Sequence, residues 1–379
     1  MSVNKDVKST ATIAENSVLA NEKRGFPFKK IFFALLVVLI ILSILLLIVN
    51  IVINSYFSKI KVFDGKWEIN MDKLNSMPIY QDNVGYFRQN EELHDAYHAA
   101  LLNHAQATSD MKYDDNVYNY AIFGTDQFEG SEVSSSADII MIVSVNKYDN
   151  HVTYLSFETR MLVYIPAVGV GPMSDAYLLG GPQLLTNTIE QNYGIRLDGF
   201  VEINMSAFSE LVQNFGSIEI NGNKDLVERI NADIAKFNTG KNLTGDAQIP
   251  NVALEGNKIK LNGQQTLAYM SNAGEDKSDV ANNVISQLTS KIHSKGFGGI
   301  KVTLDIALEK MLVAMQRDDV GALFQIGFSV FGSIETTPIG NLEGRAPVRP
   351  AVSGGASFIG YTCNYQAERA AVITALYTK

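Results

Sequence analysis

The chain has 379 residues, a formal net charge of −9 and a hydrophobic fraction of 46%. That length and apolar content support a sizeable core and exclude wholesale disorder. The acidic balance argues against nucleic-acid binding, which needs a basic face to displace counterions. The single cysteine, Cys363, excludes an internal disulfide and reads as a small apolar core residue.

Residues 31–53 read IFFALLVVLIILSILLLIVNIVI, without a charge. At about 1.5 Å per residue such a run spans the hydrocarbon core, and it is too long for the apolar part of a signal peptide. It predicts an uncleaved transmembrane helix. Residues 1–30 carry Lys5, Lys8, Lys23, Arg24, Lys29 and Lys30 against Asp6, Glu15 and Glu22. The positive-inside rule makes them a cytoplasmic tail. Everything beyond the helix is then extracellular, and removing the tail's +3 from −9 leaves −12 there.

Residues 54–117 read as a membrane-proximal helical segment, with NEELHDAYHAALLNHAQA (90–107) as its helix. His94 and His98 are four apart on it, but zinc would need further ligands. From 118 to 379 the chain reads as a second, larger domain. YNYAIFG, ADIIMIVSVN and HVTYLSFE are strands, with KYDN (147–150) turning the last two into a hairpin. LVYIP (162–166) is a further extended run. GGPQLLTNTIEQNYG (180–194) is a helix opened by Gly181-Pro182 and closed by Gly194. FVEIN is a strand, residues 206–216 a helix capped by Ser206, and SIEI a strand. Helices are predicted over 261–271, 276–295 and 304–316. APVRPAVSGG (346–355) reads as a loop, ASFIGYTCN as a strand, and 365–378 as a helix capped by Asn364. Strands interspersed with helices predict an α/β fold, a mixed central sheet flanked by helices.

The order of AIFGTD, SADIIMIVSVN, LSFETRMLVYIP, DAYLLGGPQLL, YGIRLDGFVEIN and LNGQQTLAYM resembles the LytR-CpsA-Psr (LCP) family of Gram-positive bacteria. The resemblance covers 118–379 and the N-terminal anchor. It implies an α-β-α fold and transfer of glycopolymers from a polyprenyl-pyrophosphate carrier to peptidoglycan in cell wall biogenesis. It also implies that Asp126 and Asp138 hold magnesium, an oxygen-seeking cation bound through carboxylates and substrate phosphates. Spacing alone favours reading both aspartates as turn-capping loop residues.

The family's other chemistry is arginine, whose guanidinium groups clamp the pyrophosphate. Here Ser135-Ser136-Ala137 precedes Asp138 with no arginine. LSFETRMLVYIP puts Thr159 where the family has arginine, with Arg160 one position on, a slip that turns a strand side chain to the opposite face unless a bulge re-aims it. The family's basic positions fall also on Pro172, Ser271, Ala273, Asn282 and Ile285, and its following glutamine on Ser286. Two readings stay open. One is a magnesium-dependent glycopolymer phosphotransferase with a remodelled site. Arg160 and Lys277 are then catalytic, Arg160, Tyr177 and Asp279 contact the lipid pyrophosphate, and the polyprenyl chain lies between sheet and helices, along YLLGGPQLL and the 206–216 helix. The other is a degenerate member that binds the lipid-linked polymer, or partner proteins of wall or capsule assembly. A transcriptional role would need a DNA-binding element in the 30-residue tail, which shows no helix-turn-helix pattern.

Overall fold

A computed structural model of the chain describes residues 61–62, 66–125, 136–148, 151–240, 242–245, 248–271, 277–310, 312–315, 336–337, 349–353 and 358–377, all in one compact unit, Ile60–Lys379. The predicted transmembrane helix and cytoplasmic tail lie outside the described residues. No described helix is long and apolar enough to cross a membrane.

The elements in chain order are β1 (Lys61–Val62), α1 (Met71–Ser76), α2 (Pro78–Gln81), α3 (Asn83–Phe87), α4 (Glu91–Ser109), β2 (Val117–Thr125), β3 (Ala137–Asn146), β4 (His151–Phe157), β5 (Leu162–Ile165), β6 (Gly169–Pro172), α5 (Met173–Tyr193), β7 (Gly199–Ile203), α6 (Met205–Phe215), β8 (Ile218–Asn221) and α7 (Lys224–Gly240). Then follow β9 (Leu254–Glu255), β10 (Lys258–Leu261), α8 (Gly263–Ser271), α9 (Lys277–Ser294), α10 (Gly296–Lys310), β11 (Leu312–Met315), β12 (Thr336–Thr337), β13 (Arg349–Val352), β14 (Phe358–Thr362) and α11 (Tyr365–Tyr377). The central sheet runs β1-β11-β7-β2-β3-β4-β12. It is mixed: β2 pairs with β7 in parallel and with β3 antiparallel, and β3 pairs with β4 antiparallel.

Strand alternation sorts side chains to the two faces. Ala121, Phe123, Ile140, Ile142 and Phe200 share one core with α4, α5 and α11. Ile139 and Ile203, from the opposite parity, pack against a second core built by α6, α7, α8, α9, β8 and β10. Both faces are therefore covered by helices, as the sequence predicted. The helix expected at 90–107 is α4, and its buried Leu93, Ala96 and Ala100 belong to the same core as β2 and β3. It forms one layer of the unit that holds the sheet.

The differences from the sequence expectations have local causes. The 206–216 helix starts one residue earlier and is capped by Asn204, whose Oδ1 accepts from Ala207 N at 2.9 Å. Residues 312–315, expected to end a helix, form β11 against β7. Residues 349–352, expected in a loop, form β13, and Pro350 sits on its two-stranded sheet opposite Tyr361. Helix α7 was not anticipated. The helix predicted from 180 begins at Met173. Gly180 and Gly181 kink it, with Gly181 at φ +67°, and Pro182 opens the second half.

Candidate functional site

In an open α/β sheet, ligands bind in the crevice beyond the carboxyl ends of the parallel strands. Here those ends are Thr125 on β2 and Ile203 on β7, and Ile203 pairs with Gly124. The start of β3 and the end of β4 lie at the same edge, because β3 runs antiparallel to β2 and β4 antiparallel to β3.

Asp138 stands at this edge on a β-bulge. Gly124 pairs with Ile139 and Thr125 with Ala137, so the register skips Asp138, the extra residue of the bulge. The side chains demand this irregularity. Ala137 and Ile139 are two apart and in a regular strand would face the same way, yet they join different cores. The bulge makes the switch and re-aims the residue at its apex. Gly124 permits it, since a Cβ there would lie 2.9 Å from the Cβ of Ile139. Beside the bulge, the buried Thr125 Oγ1 has no hydrogen-bond partner among the described residues. Asp126, the other predicted magnesium ligand, lies outside the described residues.

Residues 158–161 turn from β4 toward α5. The carbonyls of Thr159 and Met161 accept from Ser174 N (2.8 Å) and Met173 N (2.9 Å), so the first amides of α5 are satisfied by this turn. Thr159, at the family's arginine position, is buried, whereas Arg160 is exposed. The Arg160 guanidinium lies 4.6 Å from the Phe358 ring centroid, and Nη2 donates to Ile359 O at 2.8 Å. No carboxylate forms a salt bridge with it among the described residues, although its charge acts on Asp175. Tyr177 is buried in α5. Lys277 and Asp279 fall in the first turn of α9; only their backbone is described.

The structure adds two residues that the sequence reading missed. Asp175, in the first turn of α5, accepts from the Tyr80 hydroxyl at 2.8 Å. Burial pushes its carboxyl up to about 6, against the opposing effects of the Tyr80 hydrogen bond and the Arg160 charge. Tyr80 is itself raised well above the usual phenol range, by burial first and then by the neighbouring carboxylate. The available signal was the acidic residue in DAYLLGG, at a helix start where the dipole favours a negative charge. Thus Arg160, Asp175 and Tyr80 converge at the α5 start, while Asp138 and Thr125 meet at the bulge.

Among the described residues, no three His, Cys, Asp or Glu side chains cluster to hold a metal. The described donors at the bulge, a carboxylate and an unsatisfied hydroxyl, are nonetheless oxygens of the kind magnesium takes.

A mixed sheet between two helical layers, with an aspartate bulge at the carboxyl edge of its parallel strands, defines an α/β protein. A family model described as the LytR_cpsA_psr family matches residues 84–324, more than half of the chain. The chain belongs to that family. It is 27% identical to "Regulatory protein MsrR" of Staphylococcus aureus over 156 residues, 40% of this chain and 47% of that protein. It is 25% identical over 245 residues to "Polyisoprenyl-teichoic acid--peptidoglycan teichoic acid transferase TagU" of Enterococcus faecalis, 62% of this chain and 73% of that protein. The chain thus spans about half the length of the first curated relatives it matches. The crystal structure of protein gbs0355 from Streptococcus agalactiae, 19% identical, shares the fold with a TM-score of 0.51 over 70% of this chain and 89% of that one.

Proposed function

We propose that this protein is anchored in the cell membrane by residues 31–53, with its large domain extracellular, and that it takes polyprenyl-pyrophosphate-linked glycopolymers for attachment to the Gram-positive cell wall. The observation that carries the reading is the 245-residue match to the Enterococcus faecalis protein, whose name states that activity. In the transferase form of the reading, a hydroxyl of peptidoglycan attacks the phosphorus bearing the glycopolymer. A new P–O bond forms, the pyrophosphate P–O bond breaks, and polyprenyl phosphate leaves while the hydroxyl proton is lost.

The residues support a division of labour. Asp138, with Asp126, is the candidate holder of magnesium, which when bound offsets the negative charge of the pyrophosphate. Arg160 offers its unpaired guanidinium edge to phosphate oxygens. Tyr177, Lys277 and Asp279 remain candidates for the lipid-pyrophosphate site on the family pattern. Half-buried Asp175 and buried Tyr80 hold the turn next to Arg160.

A second reading is a binder that organises wall or capsule assembly, with its proteins as partners, and does no transfer. It is favoured by a specific observation: part of the Arg160 guanidinium is committed to Ile359 O and to the Phe358 ring. The two readings separate on turnover. Purified full-length protein in detergent is given a lipid-pyrophosphate glycopolymer donor and peptidoglycan. Covalent transfer supports the first, and donor retention without transfer supports the second.

A further inference from the structure

We propose that His94 and His98 on α4 form a surface site for a divalent transition-metal cation with tetragonal preference, copper(II) above all and nickel(II) next. The site is separate from the sheet-edge site and independent of the proposed function. The two residues are one helical turn apart, so their side chains share a face. Their Nε2 atoms lie 3.0 Å apart, both exposed, with ring centroids 4.3 Å apart at an interplanar angle of 67°.

That distance sets the geometry the pair offers to a metal. With metal–nitrogen bonds of about 2.0–2.1 Å, two nitrogens 3.0 Å apart subtend roughly 94° at the metal. This fits cis positions of a square-planar or tetragonal centre. A tetrahedral centre needs about 3.3–3.4 Å from the same bond lengths. Imidazole pairs with tetragonal geometry suit copper(II) or nickel(II), and the Irving–Williams order puts copper first. Magnesium, which takes oxygen ligands, has no place here.

The pair is preorganised. The Tyr97 ring meets His98 edge-on at 5.6 Å. The turn carrying both is anchored on its other side by buried Leu93, Ala96 and Ala100. Asn90 Oδ1 caps the helix by accepting from Leu93 N at 2.8 Å. Among the described residues no third His, Cys, Asp or Glu completes a cluster. Water must supply the remaining ligands, which makes the bound ion exchangeable and its affinity modest.

The test is titration of full-length protein in detergent with Cu²⁺, Ni²⁺ and Mg²⁺, followed by calorimetry, thermal denaturation and electron paramagnetic resonance of the copper form. His94→Ala and His98→Ala keep or improve helix propensity, so folding is retained. His151→Ala, on β4, is the control. The expected result is a copper site with two-nitrogen hyperfine structure and a metal-dependent rise in Tm. Each α4 variant should lose at least tenfold in Cu²⁺ affinity and lose the Tm rise, His151→Ala should change neither, and Mg²⁺ should not compete. Unchanged copper affinity in His94→Ala or His98→Ala, or no two-nitrogen spectrum, would overturn the proposal and leave the 3.0 Å contact as a hydrogen bond between the two rings.

Discussion

The Tyr80 hydroxyl donates to Asp175 Oδ2 at 2.8 Å across 95 residues of sequence, tying the helical turns before α4 to the start of α5. Tyr80 is buried and Asp175 half-buried, and the bond stands next to the turn that presents Arg160. Removing the hydroxyl leaves the carboxyl buried with one fewer donor. Tyr80→Phe should lower stability by about 1–2 kcal/mol, read as a reduced urea midpoint at unchanged m-value.

The pH dependence of stability follows from the same carboxyl. Asp175 is raised from 3.8 to about 6 and Glu190 from 4.5 to about 7, both chiefly by burial. Their folded states bind protons more tightly than their unfolded states. Their contribution is therefore fully present below about pH 4 and is lost as pH rises through 6 to 7. Each accounts for up to roughly 3 kcal/mol. Asp175→Asn should flatten the fall in stability between about pH 4 and 6, measured by chemical denaturation across that range. An unchanged slope would remove Asp175 as its source.

Arg160 has a structural and a ligand-facing side, and substitution separates them. Arg160→Ala removes the Ile359 hydrogen bond and the contact with Phe358, at a cost of about 1–2 kcal/mol. If the free edge meets pyrophosphate, affinity for a polyprenyl pyrophosphate should also drop by tenfold or more, and Arg160→Lys should restore only part of it. An affinity that stays unchanged while stability falls would assign Arg160 to anchoring β14 alone.

The bulge depends on Gly124. In Gly124→Ala the new methyl would meet Ile139 at 2.9 Å. Crowding of that kind costs about 1–3 kcal/mol. Because the displaced strand start carries Asp138, donor binding should weaken along with Tm. Equal Tm and binding would show that the register tolerates the side chain.

The layered α/β architecture was legible because long periodic segments carry it. ADIIMIVSVN and the 365–378 helix with its Asn364 cap stand where the sequence put them, and Asn364 Oδ1 accepts from Ala367 N. The misses are places where tertiary partners outweigh local signals. LVAM has helical propensity, but pairing of Val313 with Val201 and Ala314 with Phe200 makes it a strand. Ser206 is a good cap by type, yet Asn204 stands where the strand ends and takes the role. Helix α7 did have a readable stripe, since Ile230, Ile234 and Phe237 recur at helical spacing and are buried together. At the site, sequence placed Asp138 at the mouth of β3. Its position on a bulge, and the union of Asp175 with Tyr80, arise from pairing register and long-range packing that no local pattern encodes.

The central claim is that Asp138 serves ligand chemistry at the sheet edge. The most direct measurement is magnesium-dependent transfer of a lipid-pyrophosphate-linked glycopolymer to peptidoglycan by full-length wild-type protein and Asp138→Ala, with Tm recorded for both. The account predicts transfer by the wild type that requires magnesium, and at least a hundredfold loss in Asp138→Ala at near-native Tm. Transfer by Asp138→Ala at the wild-type rate would contradict it.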